Sequence, residues 1–327
     1  MKIKGGLAGM AIGAVAMLQV SAAWAQDLES VSVVVFGPPS LGAFLPPVIK
    51  ERGLDKAHGL DITFAERTPD AYAAQFNSGE FKVGGSAALL TVGLAEARGV
   101  ESTYLFNLFN YWGAVVTSRE DIQEISDLAG KDLAAATGTT NFQMFRWLAG
   151  EQGLDISTVT AVNTAPPGLV GYAMADRAAA VQLWEPAFTS LTAQNPAIRS
   201  LDLNIDESWR SFAGSDDIPY LGVAAHTEWV NENPDLVTAL YGAYSDAAAW
   251  VQENPEAAAA IIAGDSQDSV RKNYTTLIKQ NDRLGLNVKW ASDMAEEIRK
   301  VYEVGTSIGY LPKMPSDATI YGASGTK

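Results

Sequence analysis

The chain has 327 residues, with 38 acidic against 23 basic side chains, two histidines and no cysteine, and a formal net charge of −15. That acidity excludes nucleic acid as a partner, and the missing thiols exclude thiolate metal sites, cysteine nucleophiles and a lipid anchored on cysteine. A chain of this length buries enough apolar surface to be stable without disulfides.

Lys2 and Lys4 precede an apolar run from Leu7 to Val20 that ends in Ala23-Trp24-Ala25. This reads as a secretory signal peptide, residues 1–25, cleaved after Ala25 and too short for the roughly 20 apolar residues of a bilayer span. The mature chain, from Gln26, is expected to be soluble and periplasmic. Residues 31–36 predict a strand, followed by the turn Gly37-Pro38-Pro39-Ser40 and a helix toward Arg52, with Pro46 and Pro47 suited to a first turn. A strand over 61–65 and a helix over 70–77 come next, then Val83-Gly84-Gly85-Ser86 passing into a helix over 87–98, then strands over 104–109 and 114–117.

The alternation restarts with strands over 133–136, 159–162 and 178–183, separated by helices over 141–150 and after Pro167 and Pro186. Residues 204–219 read as polar and irregular. A strand over 220–225 leads into helical sequence, where Trp229, Leu236, Leu240, Tyr244 and Ala248 recur near helical spacing. Short strands alternating with longer helices specify an α/β fold with parallel sheets and crossover helices, and the restart specifies two lobes.

Ligands of such sheets bind at the carboxyl ends of strands, where loops feed helix N-termini that carry free N–H groups and partial positive charge. The candidate of this kind is Thr137-Gly138-Thr139-Thr140-Asn141: Gly138 permits close backbone approach, and the threonines and Asn141 supply hydrogen bonds. Its plain alternative is a helix cap. Gly85 and Ser86 hold the equivalent place in lobe one, with a simple strand-to-helix turn as their alternative. Ser40 is the weaker polar candidate, because the paired prolines remove two N–H donors. Phe36, Tyr111, Trp112, Phe142 and Trp184 lie near these loops; Phe36 and Phe142 are assigned to the core. Glu185 either accepts from a ligand amine or is an ordinary salt-bridged carboxylate. Arg67 and Arg146 either neutralise an anion or are surface charges.

Catalysis finds little support. His58 and His226 lack metal-ligand spacing and read as turn and packing residues. Gly-x-Ser-x-Gly, Walker and dinucleotide-binding patterns do not occur. No catalytic residue, metal ligand or cofactor is expected.

Several segments carry a specific resemblance: Trp112-Gly113-Ala114-Val115-Val116, Ile125-Ser126-Asp127-Leu128-Ala129-Gly130-Lys131, Thr137-Gly138-Thr139-Thr140, Leu183-Trp184-Glu185-Pro186 and Asn233-Pro234-Asp235-Leu236-Val237. In order and spacing they cover most of the mature chain. The sequence resembles the periplasmic solute-binding proteins of ABC transporters for sulfonates, nitrate, taurine and thiamine pyrimidine precursors. The resemblance implies a type II periplasmic binding protein fold with the ligand in a cleft between two lobes. Lobe one then comprises 26–114 and 216–327, lobe two 115–215, with crossings near 112–118 and 211–220 and with Trp112 and Trp184 beside the cleft. It also implies a small-molecule ligand, an ABC permease in the inner membrane as partner, and a monomer. One departure is Asp176-Arg177-Ala178-Ala179-Ala180, where the family shows Gly-x-Val-Asp-Ala. A fungal relative of this fold makes the thiamine pyrimidine with a cysteine-rich iron segment, which a chain without cysteine lacks. The expected ligand is a small organic anion, sulfonate- or carboxylate-like, with an apolar or aromatic body. A planar heterocycle such as a pyrimidine, or a periplasmic sensor role, is the alternative.

Overall fold

Residues 28–323 are described by the structure, a computed structural model; the expected signal peptide and its cleavage site lie outside the described residues. The strands in chain order are β1 (Glu29–Phe36), β2 (Leu60–Arg67), β3 (Val83–Ala88), β4 (Ser102–Asn110), β5 (Ala114–Thr117), β6 (Asp132–Ala135), β7 (Thr160–Asn163), β8 (Ala180–Leu183), β9 (Arg199–Leu201), β10 (Pro219–His226) and β11 (Leu286–Trp290). They form two sheets, β11-β4-β10-β3-β1-β2 in lobe one and β7-β6-β8-β5-β9 in lobe two. This is the expected two-lobed α/β architecture.

Strand direction sets which edges of the two sheets face the crossing. β10 is antiparallel to both β3 and β4, so β4 runs parallel to β3, β1 and β2. The carboxyl ends of these four strands therefore share the edge from which the chain leaves lobe one at Asn110. In lobe two, β5 is antiparallel to β8, which is parallel to β6, itself parallel to β7. The carboxyl ends of β6, β7 and β8 thus lie at the edge where the chain enters at Ala114. Two rows of strand ends oppose each other across the short crossing at residues 111–113, the geometry that parallel sheets use to hold a ligand.

Buried apolar side chains explain why the elements stay in place. Val33, Val34 and Val35 of β1 are all fully buried, the both-faces pattern of a parallel strand covered by helices on either side. Pro46 and Pro47 sit in the first turn of helix Leu45–Arg52, where their missing N–H groups cost nothing. In lobe two, alternating residues divide into two cores. Val115, Leu133 and Ala135 face one way, and Ala114, Val116, Ala134 and Val181 the other.

Helix Thr140–Glu151 serves two cores. Phe142, Phe145 and Ala149 enter a lobe-two core, while Met144, Trp147 and Leu148 join the large lobe-one cluster together with Trp209. The i, i+3, i+7 and i, i+3, i+4 spacings put these sets on two faces of one helix.

Three expectations differ from the structure. Gly85 and Ser86 lie inside β3, and the helix starts only at Leu89 (Leu89–Ala97). The segment 204–219, expected to be irregular, contains helix Ile205–Ala213 between two left-handed residues, Asn204 (φ 49°) and Gly214 (φ 70°). β9 and β11, edge strands of three and five residues, were not anticipated.

Candidate functional site

The site starts from the loop after β6. Thr139 caps helix Thr140–Glu151: its Oγ1 accepts from the Phe142 N–H at 3.2 Å and donates to the Ala136 carbonyl at 2.8 Å. The hydroxyl is thereby engaged within its own turn. Thr139→Ala is expected to cost about 1 kcal/mol, read as a lower urea midpoint. An unchanged midpoint would show that the cap is not structural.

Thr137 donates from both its N–H (3.0 Å) and its hydroxyl (2.8 Å) to Asn163 Oδ1, tying the ends of β6 and β7 together. Gly138 is exposed, and its carbonyl accepts from the lobe-one Tyr310 hydroxyl at 3.4 Å. Asn141 is fully buried. Its Nδ2 donates to the Trp112 carbonyl at 3.2 Å, and its Oδ1 accepts from Gln182 Nε2. The crossing is thus pinned to the first turn of the helix and to the centre of β8.

Tyr111 packs edge-on against Tyr220 at 5.9 Å, with its hydroxyl over Gly113. A Cβ on Gly113 would fall 2.6 Å from that hydroxyl and 3.2 Å from Asn141 Oδ1, so only glycine fits. Burial pushes both the Tyr111 and Tyr220 phenols well above their ordinary range, which keeps them protonated. The Tyr111 hydroxyl, Thr140 Oγ1 and Gln182 Oε1 are buried with no hydrogen-bond partner among the described residues. Buried polar atoms are normally paired, so these three are exceptions.

On the opposite face of the second sheet, Glu185 is buried just before Pro186. Its carboxylate accepts from the Thr189 N–H (3.0 Å) and hydroxyl (2.8 Å). Burial raises the Glu185 carboxyl above its usual range, against the lowering pull of Thr189 and of Arg283. Trp112 and Trp184 are both half-buried, and Trp112 meets Phe188 edge-on at 5.0 Å.

The remaining candidates have the following surroundings. Ser86 is fully buried in the sheet, where its Oγ accepts from the Phe36 N–H at 2.9 Å and so joins β3 to β1. A Cβ on Gly85 would strike the Tyr244 hydroxyl and Val33, so Gly85 faces a packed layer. Ser40, at the end of β1, caps the short turn after it by accepting from the Gly42 N–H at 3.2 Å. Phe36 is half-buried against Tyr72, and Phe142 is core. Arg67 folds back onto Gln75 Oε1 (2.6 Å) and the Glu66 carbonyl (2.8 Å). Arg146 bonds Gln143 Oε1 (2.7 Å) and, across the lobe boundary, the Ile308 carbonyl (3.2 Å). His58 pairs with Asp246 (2.8 Å), and His226 contacts the Phe76 carbonyl (2.7 Å). His226 ends β10 and His58 precedes β2, so both lie at the edge of the first sheet away from the cleft.

Sequence reasoning missed Gln182, Tyr220 and Arg283. Gln182 carried a signal, being one amide within the apolar strand Ala-Val-Gln-Leu. A cavity of 340 Å³ lies beside the crossing at the β11 edge, lined by Trp112, Ile205, Asp206, Asp216, Asp217 and Asp282 among others. Its carboxylates disfavour an anion there.

The protein family described as NMT1/THI5 like matches residues 48–258. No curated protein matches the chain in sequence. The aliphatic sulphonate binding protein SsuA from Escherichia coli superposes with a TM-score of 0.71 at 16% identity, covering 90% of this chain and 98% of that one. The alkanesulfonate-binding protein SsuA from Xanthomonas axonopodis pv. citri, bound to MOPS, gives 0.71 at 14% identity, with 91% and 97% covered. The nitrate-binding protein NrtA from Synechocystis PCC 6803 gives 0.66 at 12% identity, with 90% and 84% covered. At such identities these likenesses establish the fold, and together with the match over residues 48–258 they lead to one conclusion: the chain belongs to the NMT1/THI5-like family.

Proposed function

We propose that this protein is the solute-binding component of an ABC importer, which captures a small organic anion in the periplasm and hands it unchanged to an inner-membrane permease. The observation that carries the reading is the polar junction between two opposed rows of strand ends, where the Tyr111 hydroxyl, Thr140 Oγ1 and Gln182 Oε1 are buried without partners among the described residues. The first turn of a twelve-residue helix adds N–H groups and the positive end of its dipole beside Thr140. Half-buried Trp112 and Trp184 suit an apolar or aromatic body. Structural neighbours named for sulfonates and nitrate support the anion class. A ligand that contacts both rows favours the closed arrangement by its differential contacts, and closure presents a matched pair of lobe surfaces to the permease.

A second reading, a planar heterocycle with a ring N–H, is favoured by Gln182 Oε1, an acceptor that only a donor satisfies. A thermal-shift screen of the chain from Gln26 against alkanesulfonates, nitrate, aromatic carboxylates and pyrimidines separates the two. A hit present at a hundred times its Kd is expected to stabilise by about 2.7 kcal/mol, with one-to-one calorimetric stoichiometry, a smaller radius of gyration and recovery of the ligand intact. Chemical conversion of the hit, or no binder in the whole panel, would remove the reading.

A further inference from the structure

The two lobes meet differently on the two faces of the second sheet. On one face the contact is the apolar seam made by Met144, Trp147 and Leu148 with the lobe-one cluster. On the other face helix Asp268–Lys279 of lobe one packs against helix Ala187–Gln194 of lobe two, and the next short turn of lobe one carries Arg283. The Arg283 side chain reaches into lobe two. Its Nη2 lies 3.3 Å from Thr189 Oγ1, and its Nε lies 3.6 Å from Glu185 Oε1. The guanidinium is 5.5 Å from the centre of the Phe188 ring and 6.0 Å from that of Trp112, within reach of both ring faces. On its own lobe, Arg283 is steadied by Gln280 Oε1.

We propose that Arg283 is an interlobe latch whose receptor is the Glu185 carboxylate, and that this pair sets how often the lobes close before any ligand arrives. Three features distinguish a latch from a fixed brace. Glu185 is 1% exposed, and Thr189 of its own lobe already donates to both of its oxygens, so the receptor keeps its place whether or not Arg283 is present. Arg283 retains 24% exposure and stands on a four-residue turn, so it is the part free to withdraw. The engagement is also incomplete, since Arg283 Nε is buried without a hydrogen-bond partner among the described residues. A charge-assisted N–H···O contact closes at about 2.8 Å, so a further approach of about 0.8 Å on this flank would seat it. The apolar seam resists separation, because parting it exposes Trp147 and Leu148 to water. On the latch side the parting groups include the Arg283 guanidinium, whose contacts with Thr189 and Glu185 water can replace, so opening falls to that side.

The absence of cysteine allows clean labelling. Spin labels at Ala74→Cys and Ala175→Cys, exposed positions on opposite lobes, report the lobe separation of the full mature chain by pulsed dipolar spectroscopy without any ligand. Arg283→Ala and Arg283→Met are each expected to lower the closed-to-open ratio by roughly fivefold or more. Glu185→Gln, which retains an acceptor for Thr189, is expected to do the same. The double variant Arg283→Met with Glu185→Gln is expected to open no further than either single one, since the pair acts as a unit. A separation unchanged in Arg283→Met would overturn the latch, as would additive effects in the double variant. The readout involves no ligand, so it stands or falls independently of the transport reading.

Discussion

Trp209→Ala is expected to be the most damaging single truncation, lowering stability by about 4 kcal/mol and the melting midpoint by roughly 10 °C. Trp209 is fully buried on helix Ile205–Ala213, in the segment that returns from lobe two to lobe one. It meets Trp147 edge-on at 6.0 Å and Phe212 at 5.9 Å, and its Nε1 donates to the Asp217 carbonyl at 2.8 Å. Alanine would empty a large volume at the seam where helix Thr140–Glu151 joins the lobe-one cluster, so the loss loosens the lobes as well as the fold. Trp209→Phe restores most of the volume but leaves the Asp217 carbonyl without its donor, at about 1–2 kcal/mol. Urea denaturation checks both. A cost below about 1 kcal/mol for the alanine variant would show that this helix does not brace the return crossing.

Asn141→Leu is expected to cost about 3 kcal/mol even without ligand, because the leucine side chain abandons both the Trp112 carbonyl and Gln182 Nε2 in a buried junction. The crossing at residues 111–113 then loses its tether to the helix, and ligand affinity should fall through loss of closure geometry. Paired melting and calorimetry on the screen's best hit decide the matter. A lower ligand-free midpoint places Asn141 in the hinge. An unchanged midpoint with weakened binding would instead assign its amide to the ligand. Thr139 offers the contrast, since its hydroxyl is engaged within one turn and its removal should move stability only slightly.

These two flanks give closure a direction. The seam around Trp147 and Trp209 is apolar and costly to part, whereas the other flank carries the Glu185–Arg283 contact proposed as the latch. Asn141 stands between them at the crossing. In the proposed closure, a ligand bound at the Tyr111 hydroxyl and Thr140 Oγ1 would act beside the crossing.

Local physics made much of this legible from the sequence alone. Residues 31–36 announce a strand, Pro46 and Pro47 a helix start, and the run Thr137 to Asn141 the entry into a helix, because each depends on neighbours within one turn or one strand. The alternation of strands and helices specified two α/β lobes by the same short-range logic. Tertiary structure alone decided what lies beyond that range. Gly84, Gly85, Ser86, Ala87 and Ala88 have little intrinsic strand preference, yet they extend β3 because β10 pairs along it as far as Ala88 while β1 pairs at its start. β9 and β11 are too short to show a period, and pairing with β5 and β4 makes them strands. Ser86 bonds a residue 50 positions away, Asn141 one 41 away and Arg283 one 94 away. Hydrogen-bond donors and charges carry no record of such distant partners in their own spacing. A candidate polar residue at a loop can therefore be named from the sequence, while whether it joins two strands, pins a hinge or faces a ligand is set by the chain segments that folding brings beside it.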